Sequence, residues 1–123
     1  MAEHNDFGKL AEDLAADFLA KKGHGILARN FRFERLEIDI VSEYEDLIVV
    51  TEVKARSYDT LIEPQEAVTK KKIKSIITCA DFFMSENEID KEVRFDIITV
   101  LPDKSGVLQI MHIEDAFQVF DGG

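Results

Sequence analysis

From Phe7, apolar residues recur at Leu10, Ala11, Leu14, Ala15 and Phe18, the three- and four-residue spacing of one helical face. Asn5 or Asp6 is available as a cap and Gly23 as a stop, so an amphipathic first helix is predicted. The pattern then changes to a period of two. Ile26 to Phe33 reads as a strand, and Leu36 to Tyr44 as another with Leu36, Ile38 and Ile40 on one face. Glu45-Asp46 reads as a tight turn into Leu47 to Ala55, a nearly continuous apolar and β-branched run of the kind buried on both faces at the centre of a sheet. Residues 56 to 64 read as a loop closed by Pro64. From Gln65 a second helix is predicted to about Met84, with Ile73, Ile76, Ile77, Ala80 and Met84 inward. Strand patterning returns at Val93 to Leu101 and, after a turn at Pro102 to Gly106, at Val107 to Ile113. The stretch from 64 to 92 is long enough to return the next strand in parallel. The order αβββαββ therefore predicts an α/β fold, a mixed central β-sheet flanked by helices.

Composition narrows the class. No repeat, low-complexity segment or linker divides the 123 residues, which predicts a single domain over 1–123. With 46% hydrophobic and 33% charged residues the chain is globular in composition. No apolar run approaches the roughly 20 residues a bilayer requires, and Met1 to Asp6 is neither basic nor apolar enough for a signal segment, so a cytoplasmic protein without membrane association is expected. The single Cys79 reads as a reduced core thiol, and His4, His24 and His112 lie far apart with no metal-ligand spacing.

A net charge of −10 weighs against a polyanion-binding protein, since nucleic-acid affinity rests on Lys and Arg displacing counterions. The charge is uneven, however. Residues 21 to 35 carry five basic residues against Glu34, and residues 54 to 74 carry six against Asp59, Glu63 and Glu66. Residues 81 to 92 carry five acids and one lysine and read as a solvated face.

The candidate chemistry lies on the two middle strands. Glu52 and Lys54 are two residues apart inside the most apolar run, so both project from one face, and burying either charge unpaired costs several kcal/mol. Glu37 and Asp39 share a face of the preceding strand by the same rule. A hairpin centred on Glu45-Asp46 would set Asp39 across from Glu52, bringing two carboxylates and an ammonium together. Two facing carboxylates repel unless a cation lies between them, and Mg²⁺ or Mn²⁺ suits such oxygen ligands. Lys54 would then stand beside the attacking water and the attacked phosphate, to orient or deprotonate the one or to stabilise charge on the other. The plain alternative is a cross-strand salt bridge. Glu12 stands at the margin of the first helix's apolar stripe, one turn after Gly8, where it reads either as a flank glutamate or as a carboxylate reaching over the glycine. The inner stripe of the second helix turns polar at Gln65, Thr69 and Lys72, either a solvated first turn or a patch facing the strand carboxylates or a phosphate. Lys70, Lys71 and Lys74 beside it read as a solvated face or as phosphate contacts.

Several motifs in order resemble the bacterial YraN-type proteins, a family of unassigned function. These are Gly8-x-x-x-Glu12, Glu37-Ile38-Asp39, Glu52-Val53-Lys54-x-Arg56, Glu66-Ala67-Val68 with Lys72, Arg94-Phe95-Asp96, and His112-Ile113-Glu114-Asp115-Ala116-Phe117. That family in turn looks like part of the restriction-endonuclease-like superfamily, close to archaeal Holliday junction resolvases. The resemblance implies Glu12, Asp39 and Glu52 as metal ligands and Lys54 as the catalytic lysine. Arg56, Gln65 and Lys72 are the candidate nucleic-acid contacts. The chain departs from the family pattern at Leu36, where a glycine usually precedes Glu-Ile-Asp, and at Leu61, Ile62 and Glu63, where a glycine usually follows the Glu-x-Lys loop.

The function expected from these readings is a Mg²⁺- or Mn²⁺-dependent endonuclease acting on structured or branched DNA, with a homodimer needed to cut both arms of a junction. A non-catalytic nucleic-acid- or protein-binding module on the same fold is the alternative, and a metal-dependent phosphohydrolase of small substrates a third. No base-reading helix, zinc finger or aromatic stacking platform is visible, so any specificity would be for shape.

Overall fold

The structure, a computed structural model, describes residues 2–57 and 68–118. Its elements follow in the order α1 (Ala2–Lys21), β1 (Gly25–Phe33), β2 (Leu36–Tyr44), β3 (Leu47–Ala55), α2 (Lys70–Glu86), β4 (Glu92–Pro102) and β5 (Leu108–Phe117). The five strands form one sheet in the order β1-β2-β3-β4-β5, antiparallel except for the parallel pair β3 and β4. This is the mixed sheet that the hydrophobic pattern predicts, with β3 central, and it is consistent with an α/β nuclease-like fold.

The helices cover opposite faces. Ala11, Ala15, Ala16 and Leu19 of α1 pack on Ile40, Ile98 and Val100, with Val53 and Ala55 beside them. The small alanines on the inner side of α1 let the helix lie close on the sheet. On the other face Ile73, Ile76, Cys79, Ala80 and Phe83 of α2 pack on Ile38, Val41, Ile48, Val50, Phe95 and Ile97. Each fully buried Ile, Leu or Val in these layers stabilises the fold by roughly 1.5–3 kcal/mol. Ile38 and Ile40 join different clusters although they stand two apart, so the regular alternation of β2 breaks at Asp39.

Element ends depart from the pattern for local reasons. α1 starts at Ala2, so Asn5 and Asp6 lie within it rather than capping it. It closes as expected at Gly23, whose φ of 105° lets the N–H of Gly23 reach Ala20 O and that of His24 reach Leu19 O, a paired C-terminal cap. Thr69 is the N-cap of α2: its Oγ1 accepts the Lys72 N–H at 3.2 Å. Val68 and Thr69 thus stand outside a helix that the pattern began at Gln65, while Gln65 itself lies outside the described residues. The inward face of α2 is turned slightly from the predicted one: Cys79 and Phe83 are buried, and Ile77 and Met84 only partly. Phe82 and Phe83 are adjacent and both apolar, so spacing alone does not rank them; Phe82 stacks on Phe33 of β1 while Phe83 meets Phe31 edge-on.

The last strand runs four residues beyond its predicted end. Its pairing with β4 shifts between Phe95 and Ile97, and the extra residues form a bulge in which Asp115 takes a φ of 54°. Among the described residues no helix is long and apolar enough to cross a membrane.

Candidate active site

The antiparallel pairing of β2 with β3 runs from Tyr44↔Leu47 to Ile40↔Thr51 and stops there. Asp39 and Glu52 are the next residues on each strand. They do not continue the ladder as the hairpin count predicts; instead the Asp39 carboxylate accepts the Val53 N–H at 2.8 Å. The side chain takes over a backbone donor freed where the strands part, and the break sets Asp39 at the mouth of the gap.

Glu52 is buried, with 3% of its side chain exposed. Lys54 Nζ, on the same face of β3, lies 3.9 Å from its Oε1, and Lys72 Nζ, from the first turn of α2, lies 3.7 Å from the same oxygen. Its other oxygen, Oε2, is buried with no hydrogen-bond partner among the described residues. Burial first, and then the nearby Asp39, push the Glu52 carboxyl up to about 7, with Lys72 and Lys54 pulling the other way. Burial likewise pushes Asp39 up to about 6; the Val53 N–H opposes it, and the charge of Glu12 adds to it. Glu12 is half-buried on α1 and within electrostatic range of Asp39, and a Cβ placed on Gly8 would meet nothing within 4 Å. The turn preceding Glu12 therefore leaves room above the carboxylate.

These elements bring Asp39, Glu52, Lys54 and Lys72 together, with Glu12 alongside. Arg56 behaves differently, for its Nη1 donates back to Ala55 O at 3.1 Å. Thr69 caps α2 instead of facing the carboxylates. Among the described residues no three Asp, Glu, His or Cys side chains are gathered closely enough to hold a cation by themselves. The Asp39–Glu52 pair nevertheless fits a hard divalent ion. It offers two carboxylates held above their ordinary range and a buried oxygen without a hydrogen-bond partner among the described residues, and an ion such as Mg²⁺ uses one or two carboxylates and keeps waters for its other positions.

A second polar cluster lies on the α1 face. Asp96 is fully buried and receives both nitrogens of an Arg94 fork at 2.9 and 3.0 Å, His112 Nε2 at 2.8 Å and the Asp115 N–H at 3.0 Å. Lys22 Nζ approaches His112 Nδ1 at 2.9 Å; an ammonium only donates, so Nδ1 accepts and the ring proton lies on Nε2, facing Asp96. Beside it His24 bonds Ser42 Oγ at 2.8 Å and stacks on Tyr44. Burial first, and then the cationic neighbours against the pull of Asp96, keep the His24 ring below its ordinary range. Spacing leaves the histidines apart, but folding sets the rings of His24 and His112 6.5 Å from one another. The signal for this cluster is the acid Asp96 inside an apolar run, the same kind of mark that singles out Glu52. Thr99 gave no such signal: it pairs with Lys54 across β3 and β4, and its buried Oγ1 also lacks a partner among the described residues.

Residues 11–100 match the uncharacterised protein family UPF0102, the YraN-type family that the motifs resemble. A UPF0102 protein of Flavobacterium psychrophilum is 43% identical over 98% of this chain and the whole of its own length. One from Phocaeicola vulgatus is 45% identical over 95% of this chain and 96% of its own, and one from Christiangramia forsetii 40% identical over 98% and 100%. By the extent of these matches, this chain belongs to the uncharacterised protein family UPF0102.

Proposed function

We propose that the chain is a divalent-cation-dependent endonuclease of the restriction-endonuclease-like superfamily, similar to archaeal Holliday junction resolvases, which hydrolyses phosphodiester bonds of structured or branched DNA. One observation carries this reading: a buried carboxylate, with an oxygen that has no hydrogen-bond partner among the described residues, stands beside a second carboxylate and two ammonium groups, where two strands part. A structural salt bridge has no need of the second acid or the unpartnered oxygen, since each costs stability.

Asp39 and Glu52 would hold the cation, Mg²⁺ or Mn²⁺, with Glu12 as the further ligand that the family resemblance implies. When bound, the ion supplies Lewis acidity at the scissile phosphate. Hydrolysis needs a water to attack phosphorus in line with the departing sugar oxygen. Lys54, whose side chain is 18% exposed, stands where it can orient that water or stabilise charge gathering on the phosphate oxygens. Lys72 opens further toward solvent, and Lys70 and Lys71 line the exposed side of the same helix turn, the place for neighbouring phosphates.

The test is to incubate wild type, Glu52→Ala and Lys54→Ala with labelled four-way junction, flap, duplex and single-stranded DNA while titrating Mg²⁺ and Mn²⁺. Metal-dependent cutting of one substrate is expected, reduced at least about a hundredfold in both variants. Absence of cutting on every substrate overturns the endonuclease reading.

A non-catalytic binding module on the same fold is the second reading. It is favoured by the internal pairing of the other basic segment: Arg29 with Asp13, Arg32 with Glu37, Lys21 with Asp17 and Lys22 with Glu114, which leaves less positive charge for a polyanion.

A further inference from the structure

The two oxygens of Glu52 are treated unequally. Oε1 has an ammonium on either side, Lys54 at 3.9 Å from its own strand and Lys72 at 3.7 Å from the facing helix, whereas Oε2 has no partner among the described residues. Both contacts are ionic and too long for hydrogen bonds, so neither ammonium is locked in place. The two lysines differ in freedom. Lys54 is 18% exposed within the site, while Lys72 keeps 42% of its side chain in solvent. The backbone of Lys72 is meanwhile pinned by the Thr69 cap, so its ammonium can turn outward without moving the helix.

The helix turn that carries Lys72 is itself unusual. It holds Lys70, Lys71 and Lys72 and no acid, three cations at the end of a helix where the dipole favours anions. That placement costs the isolated fold a little, and an anion arriving at the turn would recover it. Lys72 and Lys54 are the cations that act on Glu52 as the site stands. A divalent cation entering between the carboxylates would place two further positive charges beside these ammonium groups and repel the freer of them.

We propose that Lys72 is the internal counter-ion of Glu52, displaced when a divalent cation binds the carboxylates and thereby released to take a phosphate oxygen. The cation and a phosphodiester polyanion then bind cooperatively, each strengthening the other by the same factor. This inference rests on the divalent-cation reading of the Asp39–Glu52 pair and does not require that cutting follow.

Calorimetry of Mn²⁺ binding to the full chain tests it, with wild type, Lys72→Gln and Lys74→Gln each measured alone and with saturating four-way DNA junction. Lys74 is an exposed lysine of the same helix and serves as the charge-matched control. Without DNA, Lys72→Gln is expected to bind Mn²⁺ about tenfold more tightly than wild type, the effect of one unit charge a few ångströms away in partly solvated protein. DNA is expected to tighten Mn²⁺ binding about tenfold in wild type and less than about twofold in Lys72→Gln, a coupling of ordinary allosteric size that the variant loses. Lys74→Gln should follow wild type in both respects. Equal Mn²⁺ affinity in wild type and Lys72→Gln, coupling that survives in Lys72→Gln, or an identical change in Lys74→Gln each overturns the proposal. A wild type that binds no Mn²⁺ overturns both this inference and the nuclease reading. Coupling without cleavage of any DNA upholds the role of Lys72 and rejects the nuclease reading alone.

Discussion

Two carboxylates are buried one step apart on the central parallel strands, Asp96 opposite Thr51 and Glu52 opposite Ile97, and they point to opposite faces of the sheet. On the α1 face, burial pushes Asp96 upward, but bonds from His112, Arg94 and the Asp115 N–H outweigh it and hold the carboxyl below its ordinary range. On the α2 face, burial and Asp39 together push Glu52 up to about 7, opposed by the loose contacts of two ammonium groups, Lys72 and Lys54. The same sheet therefore carries one acid whose lone pairs are filled and another with an oxygen to spare. A filled buried charge joins elements: here β4, the β5 bulge and the end of α1. An unfilled one is a cost that a ligand can remove.

The comparison breaks first at Asp96. Asp96→Ala leaves the Arg94 fork, His112 and the Asp115 N–H without their acceptor, and a loss of about 3–5 kcal/mol in urea unfolding is expected. A loss under about 1 kcal/mol would mean that Asp96 is not the stabilising member of the pair.

Glu52→Gln should act in the opposite direction. The folded value of Glu52 stands above its ordinary 4.5, so the native state binds the extra proton between about pH 4.5 and 7, and wild-type stability falls as the pH rises through that window. With chelator present at pH 8, the variant should be more stable than wild type by about 1–3 kcal/mol. The advantage should shrink as the pH falls toward 4.5 and vanish below it, where wild-type Glu52 becomes protonated whether folded or not. Asp96 has the reverse sign: its folded value is depressed, so its contribution is complete above about pH 4 and is lost as the pH falls further. If Glu52→Gln destabilises at pH 8, the contrast between the two acids fails.

The smallest effect sharpens the picture. Thr51 faces α1 with a fully buried hydroxyl that has no partner among the described residues, and Thr51→Val keeps its shape while removing that polar atom. Thermal unfolding should show a gain of about 1 kcal/mol. A loss instead would indicate that the hydroxyl is bonded in solution.

Much of the fold is legible in the chain. β2 and β3 have the bounds their alternation predicts because each is closed by a two-residue turn, Glu34-Arg35 and Glu45-Asp46, in which Glu34 and Glu45 take positive φ. Glu34 supports its turn although Leu36 stands in place of the usual glycine. The start of α2 and the end of β5 are less legible. Thr69 is favoured at an N-cap, but the helical spacing of Gln65, Thr69 and Lys72 masks that signal, and Glu114-Asp115 interrupts an apolar pattern in a strand that continues where Asp96 accepts the bulge N–H.

For the site, local chemistry in the sequence determined which residues are costly to bury: Glu52 and Lys54 in the most apolar strand, Asp39 on its neighbour, Asp96 in the next apolar run. Strand period and a short turn suffice for that, because they act over a few residues. Tertiary structure alone decided which of these charges would be satisfied. Lys22, Arg94 and His112 reach Asp96, or one another, from positions up to 90 residues apart, and Lys72 reaches Glu52 only because α2 crosses the opposite face. Side-chain bonds form within about 3 Å, and such proximity between distant segments exists only once register, sheet order and helix packing are in place.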